Sequence, residues 1–335
     1  MEHAEQPGYD VDILIVGAGP SGLYAAYYAG FRGLTSAIID ALPEPGGQVT
    51  ALYPEKLIFD IAGFPAVRGK DLVDNLVAQA APFAPRYLLG EQAVHYEAGS
   101  DAVVVRTASG IAVRAKAVVV TGGIGTFNPR PLPGGAQWEG RGLAYVVPTY
   151  GPYMGKDVVV VGGGDSAVDW ALGLEPVAAS VTLVHRRDAF RAHAHSVKLL
   201  RDSSVTLVTP AQVTRLDGAA RLEAVEVRNL ETKELSLLPA QAVVAALGFT
   251  ADITPLEAWG LDVRDRHIVV DTTMATNLPR VFAAGDITEY PGKARLISVG
   301  FGEAATAVNN AATVIDPEAT VFPGHSTEQV EGPTA

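Results

Sequence analysis

The chain has 335 residues, 48% of them hydrophobic and 19% charged, which is enough for about two domains with buried cores. Its 37 acidic and 25 basic residues give a net charge of −12, which disfavours a nucleic-acid partner because phosphates would be repelled. The chain contains no cysteine, which excludes disulfides, thiolate catalysis and cysteine-held iron–sulfur or zinc sites. Met1–Asp12 lacks the basic region of a secretory signal, and no apolar run approaches about 18 residues, so we predict a cytoplasmic protein with no membrane partner and no metal.

The first strand, Asp10–Val16, is almost continuously apolar, as in parallel sheets that are buried on both faces. It runs directly into G-A-G-P-S-G-L, a complete G-x-G-x-x-G turn at Gly17–Leu23, and a helical pattern follows. A second strand ends at Asp40, eighteen residues after Gly22, where an acid can accept hydrogen bonds from an adenosine ribose. This order predicts a dinucleotide site. A solvated carboxylate at a strand end is the alternative interpretation of Asp40.

A loop-rich segment then contains the motifs P-G-G-Q and Y-P-E-K. Gln48 offers both hydrogen-bond donors and an acceptor, and Tyr53 either stacks on a planar ligand or is an ordinary core tyrosine. A helical pattern covers Gly69–Ala84. Four strands are expected after it, three of them in a small antiparallel meander and the last one buried: Glu91–Glu97, Ala102–Thr107, Ile111–Arg114 and Ala115–Thr121.

A second glycine-rich turn follows a segment, Pro129–Gly142, whose proline and glycine content predicts a linker. The apolar run Val158–Val161 ends in Gly162, Gly163 and Gly164 and opens into a helix. Strand, tight turn and helix in this order are the context that a dinucleotide fingerprint requires. An ordinary glycine-rich turn is the alternative.

The strand after this turn indicates which nucleotide is bound. It ends in His185-Arg186-Arg187, with Arg191 four residues further on, where an acid would hold a ribose 2′-hydroxyl. Arginines suit a 2′-phosphate instead, so we predict an NADPH site. Ala167, at the position where a third glycine often lies, allows the helix to pack closely.

The remaining sequence predicts a second sheet and a final helix. The strands of that sheet are expected at Val205–Val208, Leu222–Asn229, Glu234–Leu238 and Gln241–Leu247. Asp286 follows a short strand and a glycine, where it can accept hydrogen bonds from sugar-like hydroxyls. A helix is predicted over Ile297–Ile315, and the polar tail after it has the composition of a disordered end. Two fingerprints mean two dinucleotides, most economically a flavin and a nicotinamide that exchange a hydride.

Six motifs spread over nearly the whole chain carry a resemblance: G-A-G-P-S-G-L, P-G-G-Q with Y-P-E-K, G-G-G-D-S-A-V-D-W-A, H-R-R-D-A-F-R-A-H, A-A-G-D and G-F-G-E-A-A. They resemble the two-dinucleotide flavoproteins of the thioredoxin reductase type, and most closely the thioredoxin-reductase-like ferredoxin–NADP reductases. The resemblance implies an α/β fold of two Rossmann-like domains, with the NADPH domain inserted within the FAD domain. The implied boundaries are 1–122 and 250–315 for FAD, 123–249 for NADPH, and 316–335 for a tail over the flavin.

The resemblance also implies the activity. Thioredoxin reductases of this type carry C-x-x-C shortly before the second fingerprint, whereas Ala144–Pro148 here contains no sulfur. The family then implies an FAD-dependent ferredoxin–NADP reductase: a hydride passes between NADPH and FAD, and single electrons pass to or from ferredoxin. An NADPH diaphorase or flavodoxin reductase is the alternative enzyme. A non-catalytic flavin and NADP redox sensor is the alternative of another class. A homodimer is also implied.

The resemblance assigns site residues as well. Tyr53 would stack on one flavin face and His325, from a tail that often comes from the partner subunit, on the other. The FAD residues would be Gly17, Gly19, Pro20, Ser21, Gly22, Asp40, Gln48, Tyr53, Ala93, Phe127, Asp286, Ser326 and Thr327. The NADPH residues would be Gly162, Gly163, Gly164, Asp165, Ser166, Ala167, His185, Arg186, Arg187 and Arg191. Ferredoxin would need a local basic patch, with candidates at Lys56, Arg68, Arg86, Lys198 and Arg201.

Overall fold

The computed structural model describes residues 8–123 and 126–325, with the backbone alone at 126–128 and 249–252. In chain order its strands are β1 Tyr9–Val16, β2 Ser36–Asp40, β3 Leu57–Ile58, β4 Val67–Arg68, β5 Arg86–Leu89, β6 Ala93–Ala98, β7 Val103–Thr107, β8 Ala112–Val120, β9 Thr126–Pro129, β10 Leu143–Ala144, β11 Asp157–Val161, β12 Ser180–Val184, β13 Thr206–Val208, β14 Ala211–Gly218, β15 Leu222–Asn229, β16 Leu235–Pro239, β17 Ala242–Ala245, β18 Phe249–Asp252, β19 Val263–Arg264, β20 His267–Val269, β21 Val281–Ala283 and β22 Thr288–Glu289. Its α-helices are α1 Pro20–Phe31, α2 Gln48–Leu52, α3 Gly69–Ala80, α4 Asp165–Leu174, α5 Ala194–Asp202, α6 Thr254–Glu257 and α7 Ile297–Ile315.

The chain divides into two compact units. The first is formed by the described residues of Met1–Thr50, Leu57–Thr126 and Ala251–Ala335, and the second by Ala51–Lys56 and Phe127–Thr250. The main body of the second unit therefore lies, in sequence, between two parts of the first. Strands β9 and β18 pair with each other and contain two of the four points at which the chain passes between the units.

A seven-stranded sheet forms the centre of the first unit, in the order β5-β2-β1-β8-β7-β6, with β21 also paired to β8. Strand β1 is parallel to both β2 and β8, and β21 is parallel to β8. Ile13, Leu14 and Ile15 of β1 are fully buried, as the continuous apolar run predicts. Because these four strands are parallel, their carboxyl ends lie at one edge of the sheet, where Gly17, Asp40, Thr121 and the Gly285 turn are found.

Strand β8 is one strand of nine residues, and the prediction of two separate strands at Ile111–Arg114 and Ala115–Thr121 is wrong. On the side away from β1, its first half pairs antiparallel with β7 and its second half pairs parallel with β21. The first half alternates between buried and exposed residues, whereas the last four residues are all buried. The neighbouring strand changes from β7 to β21 along β8, and the burial pattern changes with it. In the sequence this change of pattern looks like a boundary between two strands.

The second unit is built on a parallel sheet in the order β10-β17-β11-β12-β13. Its apolar strands are buried on both faces: Val158 and Val160 of β11 pack in the core cluster beside α4 and α5, whereas Val159 and Val161 pack in the cluster beside β14 and β15. Strands β14, β15 and β16 form an antiparallel sheet that covers this second face. The sequence did not predict β14.

The predicted linker Pro129–Gly142 is part of the second unit rather than a connection between units. Leu132 and Trp138, which are 4% and 5% exposed, pack in the same core cluster as β14 and β15. The proline and glycine content therefore correctly indicated an irregular backbone. The prediction that the segment is a linker is wrong, because the segment packs into a core. Within residues 8–123 and 126–325, no helix is long and apolar enough to cross a membrane.

Candidate functional site

The first glycine turn is held by contacts that only glycine permits. Gly17 has a φ of +120°, and a Cβ on Gly22 would lie 1.8 Å from the carbonyl oxygen of Gly17. The hydroxyl of Thr121, at the end of β8, donates to that carbonyl at 2.8 Å. The turn therefore closes onto itself and onto β8, and this explains the spacing of the two glycines.

The middle of the same turn is open. A Cβ on Gly19 would have no heavy atom within 4 Å, and α1 begins directly afterwards at Pro20 without a side-chain cap. The first-turn N–H groups of Ser21 and Gly22 have no partner within the helix, and the helix dipole adds positive potential there. An open glycine before an uncapped helix N-terminus is an arrangement that fits a pyrophosphate.

Asp40 connects the end of β2 to this turn. Its Oδ2 accepts a hydrogen bond from the Ala18 N–H at 2.5 Å, and its Oδ1 accepts one from the Leu42 N–H at 2.8 Å. Burial raises the pKa of the Asp40 carboxyl, and these two backbone hydrogen bonds oppose the rise. Each carboxylate oxygen has a further lone pair with which to accept a hydrogen bond from a ribose, and that role remains a prediction. Ala93 begins β6 close by, two residues after Glu91, whose N–H donates to the Asp40 carbonyl.

The P-G-G-Q motif packs against the same turn. The Gly46 N–H donates to the Ala18 carbonyl at 2.8 Å, and a Cβ on Gly47 would lie 3.0 Å from the Cα of Gly19. Gln48 begins α2, and its Nε2 would lie 2.9 Å from a Cβ on Gly123. The structure thus brings Gln48 to the edge of the sheet at which Gly17 and Asp40 lie.

Four of the predicted flavin residues are placed less directly or lie outside what the structure describes. Tyr53 is half-buried in the short segment that packs with the second unit, with Lys56 Nζ 5.8 Å from the centre of its ring. The side chain of Phe127 lies outside the described atoms, and Ser326 and Thr327 lie outside the described residues. Their roles stay predictions.

Asp286 lies at the end of β21, beside the first turn. Gly285 before it has a φ of +84°, and a Cβ there would lie 2.7 Å from Ser21 Oγ. Burial raises the pKa of the Asp286 carboxyl, and the positive charges of Lys293 and Arg295 oppose that rise. The predicted ribityl acceptor is therefore placed next to the predicted pyrophosphate turn.

The second glycine turn repeats this construction in the second unit. A Cβ on Gly162 would lie 2.4 Å from the Ala246 carbonyl oxygen and 2.9 Å from the Cβ of Ala167, which is fully buried. Ala167 therefore packs directly against the turn, which is the close helix packing that the sequence predicted for it. A Cβ on Gly164 would have nothing within 4 Å, and α4 begins after it without a side-chain cap. This turn also fits a pyrophosphate.

His185 and three arginines follow at the end of β12. The His185 ring lies against Gly163, where a Cβ would be 2.2 Å from it, and its Nε2 is buried without a hydrogen-bond partner. Burial lowers the pKa of His185, and the nearby arginines lower it further, so the ring is neutral at pH 7. The Arg191 N–H donates to the Gly163 carbonyl at 2.8 Å. Arg186, Arg187 and Arg191 are exposed, as a site for a 2′-phosphate requires.

The two remaining predicted NADPH residues begin α4. Asp165 and Ser166 are exposed, and Asp165 Oδ1 accepts a hydrogen bond from the His193 N–H at 2.8 Å. The carboxylate therefore holds the segment before α5 in place, which the sequence did not indicate. Their N–H groups lie in the open first turn of the helix.

The tail after α7 is tied to the far end of α1. The Arg32 guanidinium donates to the Thr320 carbonyl at 2.9 Å and to the Val321 carbonyl at 3.1 Å. His325 lies edge-on to Phe322, with ring centres 5.1 Å apart. Arg32 follows the last residue of α1, whereas the glycine turn precedes the first. The described part of the tail is therefore attached at the end of α1 opposite the turn.

Among the described residues, the sequence analysis missed one group near Asp286. Lys293 and Glu303 form a buried ion pair, and Tyr290 donates to the same carboxylate. The sequence did contain a signal for Glu303, which is a glutamate on the apolar, glycine-containing part of the final helix. Within the same described residues, no group of three or more histidine, aspartate or glutamate side chains could hold a metal ion.

Two glycine turns, each following a strand with parallel neighbours, define the class of protein: a two-dinucleotide α/β fold with an acid near the first turn and arginines near the second. A family model described as pyridine nucleotide-disulphide oxidoreductase matches residues 11–311, so the chain belongs to that family. The thioredoxin reductase of T. acidophilum has the same fold, with a TM-score of 0.79, 26% identity, and coverage of 92% of this chain and 98% of that one. The predicted class of two Rossmann-like domains, one inserted within the other, is confirmed.

Curated relatives show which members of the family this chain is similar to. It is 63% identical to a ferredoxin–NADP reductase of Nocardioides sp. (strain ATCC BAA-499 / JS614), over 95% of this chain and 97% of that protein. It is 61% identical to the ferredoxin–NADP reductase of Frankia casuarinae, over 96% and 100%, and 50% identical to that of Thermus thermophilus, over 95% and 97%. The resemblance that the motifs indicated is confirmed.

Proposed function

We propose that the chain is an FAD-dependent ferredoxin–NADP reductase in which the first unit holds FAD and the second holds NADPH. The observation that carries this is the pair of open glycine turns, of which only the second is followed by three exposed arginines. The similarity to ferredoxin–NADP reductases and the absence of cysteine support the same conclusion, because no dithiol can carry electrons away.

The chain's own residues bind and orient the cofactors. When bound, a flavin supplies the conversion between the two-electron chemistry of NADPH and the one-electron chemistry of ferredoxin. Asp40, Asp286 and the first turn hold the flavin nucleotide along one sheet edge. Arg186 and Arg187 select the 2′-phosphate. No side chain is required as nucleophile, so the contribution of the protein is to bind and orient the two cofactors.

Anaerobic stopped-flow of the flavin-loaded protein tests this proposal. We expect NADPH to bleach the flavin absorbance and oxidised ferredoxin then to restore it quickly, because without a cysteine dithiol the electrons leave directly from the flavin. If flavodoxin or a dye restored the absorbance and ferredoxin did not, the electron partner would be a molecule other than ferredoxin. A protein that binds both nucleotides and shows no bleaching would contradict the enzyme and favour a redox sensor.

We also propose a homodimer in which His325 serves the partner's flavin. Helix α1 has 12 residues and spans about 18 Å. His325 is only four residues beyond Val321, which Arg32 holds at the far end of α1, so it reaches at most about 14 Å further. The anchoring of the described tail at the end of α1 opposite the turn supports the partner's flavin as the target of His325. Light scattering should give twice the 35.0 kDa of the chain, and a monomeric, fully active enzyme would contradict this proposal.

Two of the five cations predicted for the ferredoxin patch make contacts within the chain. Lys56 forms an ion pair with Asp169, and the Arg86 guanidinium lies 4.4 Å from the centre of the Tyr9 ring. Lys198 and Arg201 lie exposed on α5. The docking surface and the cytoplasmic location both stay proposals, and ferredoxin is favoured over flavodoxin by the names of the relatives alone.

A further inference from the structure

Three polar side chains to which the resemblance gives no role meet beside the Gly285–Asp286 turn. Lys293 and Glu303 have side chains that are only 1% and 5% exposed. Lys293 Nζ lies 2.7 Å from Glu303 Oε2, and the Tyr290 hydroxyl donates to Glu303 Oε1. Lys293, Tyr290 and Glu303 are called the Lys293 cluster below.

The Lys293 cluster binds both backbone polar groups of Gly285. The Gly285 N–H donates to Glu303 Oε2 at 2.7 Å, and Lys293 Nζ donates to the Gly285 carbonyl at 3.0 Å. The hydroxyl of Thr288 donates to the same carbonyl at 2.8 Å. Side chains therefore fix the peptide groups on both sides of this left-handed glycine, directly before Asp286.

The same face of α7 also contacts the start of α1. A Cβ on Gly300 would lie 2.3 Å from Ser21 Oγ and 3.3 Å from the Cα of Gly285. Glu303 follows Gly300 by three residues and so lies on the same face of the helix. The close approach at Gly300 thus brings the Glu303 carboxylate to the turn and keeps the turn beside the first glycine fingerprint.

Stability alone does not explain a buried ion pair at this place. The free energy lost when two charges are removed from water offsets most of the free energy gained from their attraction. Proteins with apolar residues of similar volume in place of such a pair are often equally stable. Apolar residues would, however, leave the Gly285 N–H without its hydrogen-bond acceptor and the Gly285 carbonyl without one of its donors. Burial, followed by the hydrogen bond to the Glu303 carboxylate, raises the pKa of Tyr290 to about 12, so the hydroxyl keeps its proton well above neutral pH.

We propose that Lys293, Tyr290 and Glu303 are positioning residues that hold the Gly285–Asp286 turn in the geometry that binds the flavin half of FAD. They act through the backbone of Gly285 and do not contact the cofactor. The inference rests on the proposed function, because Asp286 has this task only if the first unit binds FAD. The adenosine half would bind at Asp40 and the first glycine turn, on different residues.

A comparison of two ligands tests this division. We expect Lys293→Met to weaken FAD binding about tenfold or more, since it leaves the Glu303 carboxylate buried without its cation. Binding of ADP, which lacks the flavin half, should change by less than about twofold. Titrations of the full-length protein after flavin removal measure both constants. Lys70→Met is the matched control, because it removes a lysine from an exposed ion pair with Asp74 on α3 and should leave both constants unchanged.

The outcomes separate the possible explanations. Equal losses of FAD and ADP affinity in Lys293→Met would mean general destabilisation and would overturn the inference, as would unchanged FAD affinity. If Lys293→Met does not fold, Tyr290→Phe removes a single hydrogen bond and should still give a loss of about threefold for FAD only. An unmodified chain that does not bind FAD would instead overturn the proposed function.

Discussion

Gly22→Ala should destabilise the folded chain by about 3 kcal/mol, whereas Gly19→Ala should leave the fold intact and remove most FAD binding. A Cβ on Gly22 meets the Gly17 carbonyl oxygen at 1.8 Å and Thr121 Oγ1 at 2.7 Å, so the turn has to open. Gly19 has a φ of −70°, which alanine adopts without strain, and its Cβ meets no protein atom within 4 Å. The added methyl group would instead occupy the space in which the pyrophosphate approaches the backbone.

Two measurements distinguish these substitutions. Thermal unfolding of the flavin-free proteins should place Gly19→Ala within about 0.5 kcal/mol of the unmodified chain and Gly22→Ala well below it. Flavin retained on purification, or the FAD dissociation constant, should fall by about tenfold or more in Gly19→Ala. If Gly19→Ala bound FAD normally, the open space at the first turn would not be the pyrophosphate site.

Arg186→Ala combined with Arg187→Ala should lower kcat/KM for NADPH by about 100-fold or more and leave kcat/KM for NADH almost unchanged. Each arginine would lose a charge-assisted hydrogen bond to the 2′-phosphate, worth about 1.5–3 kcal/mol. Both side chains are exposed at the end of β12, so their removal should not affect the core. Steady-state kinetics with the two nucleotides and an artificial acceptor measures the change.

The control for this double variant removes the same charge elsewhere. Lys198→Ala combined with Arg201→Ala takes two exposed cations from α5 in the same unit. If this control changed the NADPH preference equally, long-range attraction and not direct contact would explain the selectivity. An unchanged preference in the Arg186 and Arg187 variant would show that the 2′-phosphate binds elsewhere.

Local signals predicted the two turns well. The helix predicted over Ile297–Ile315 has the same bounds in the structure, because a long periodic pattern is decided by its own sequence. The glycine spacings around Gly17 and Gly162 encode backbone approaches within a few residues and a neighbouring strand end. The wrong boundary within β8 and the unpredicted β14 have another cause: strand patterns depend on which neighbour covers each face.

The sequence by itself determined the family, the two glycine turns and the exclusion of thiol chemistry, because these depend on residue types at short spacings. Only the tertiary structure decided that Pro129–Gly142 packs into a core and that Arg32 holds the tail at the far end of α1. It also brought Lys293 and Glu303 to Gly285. Those three residues are separated along the chain, and they meet where α7 packs against the turn, with its close approach at Gly300.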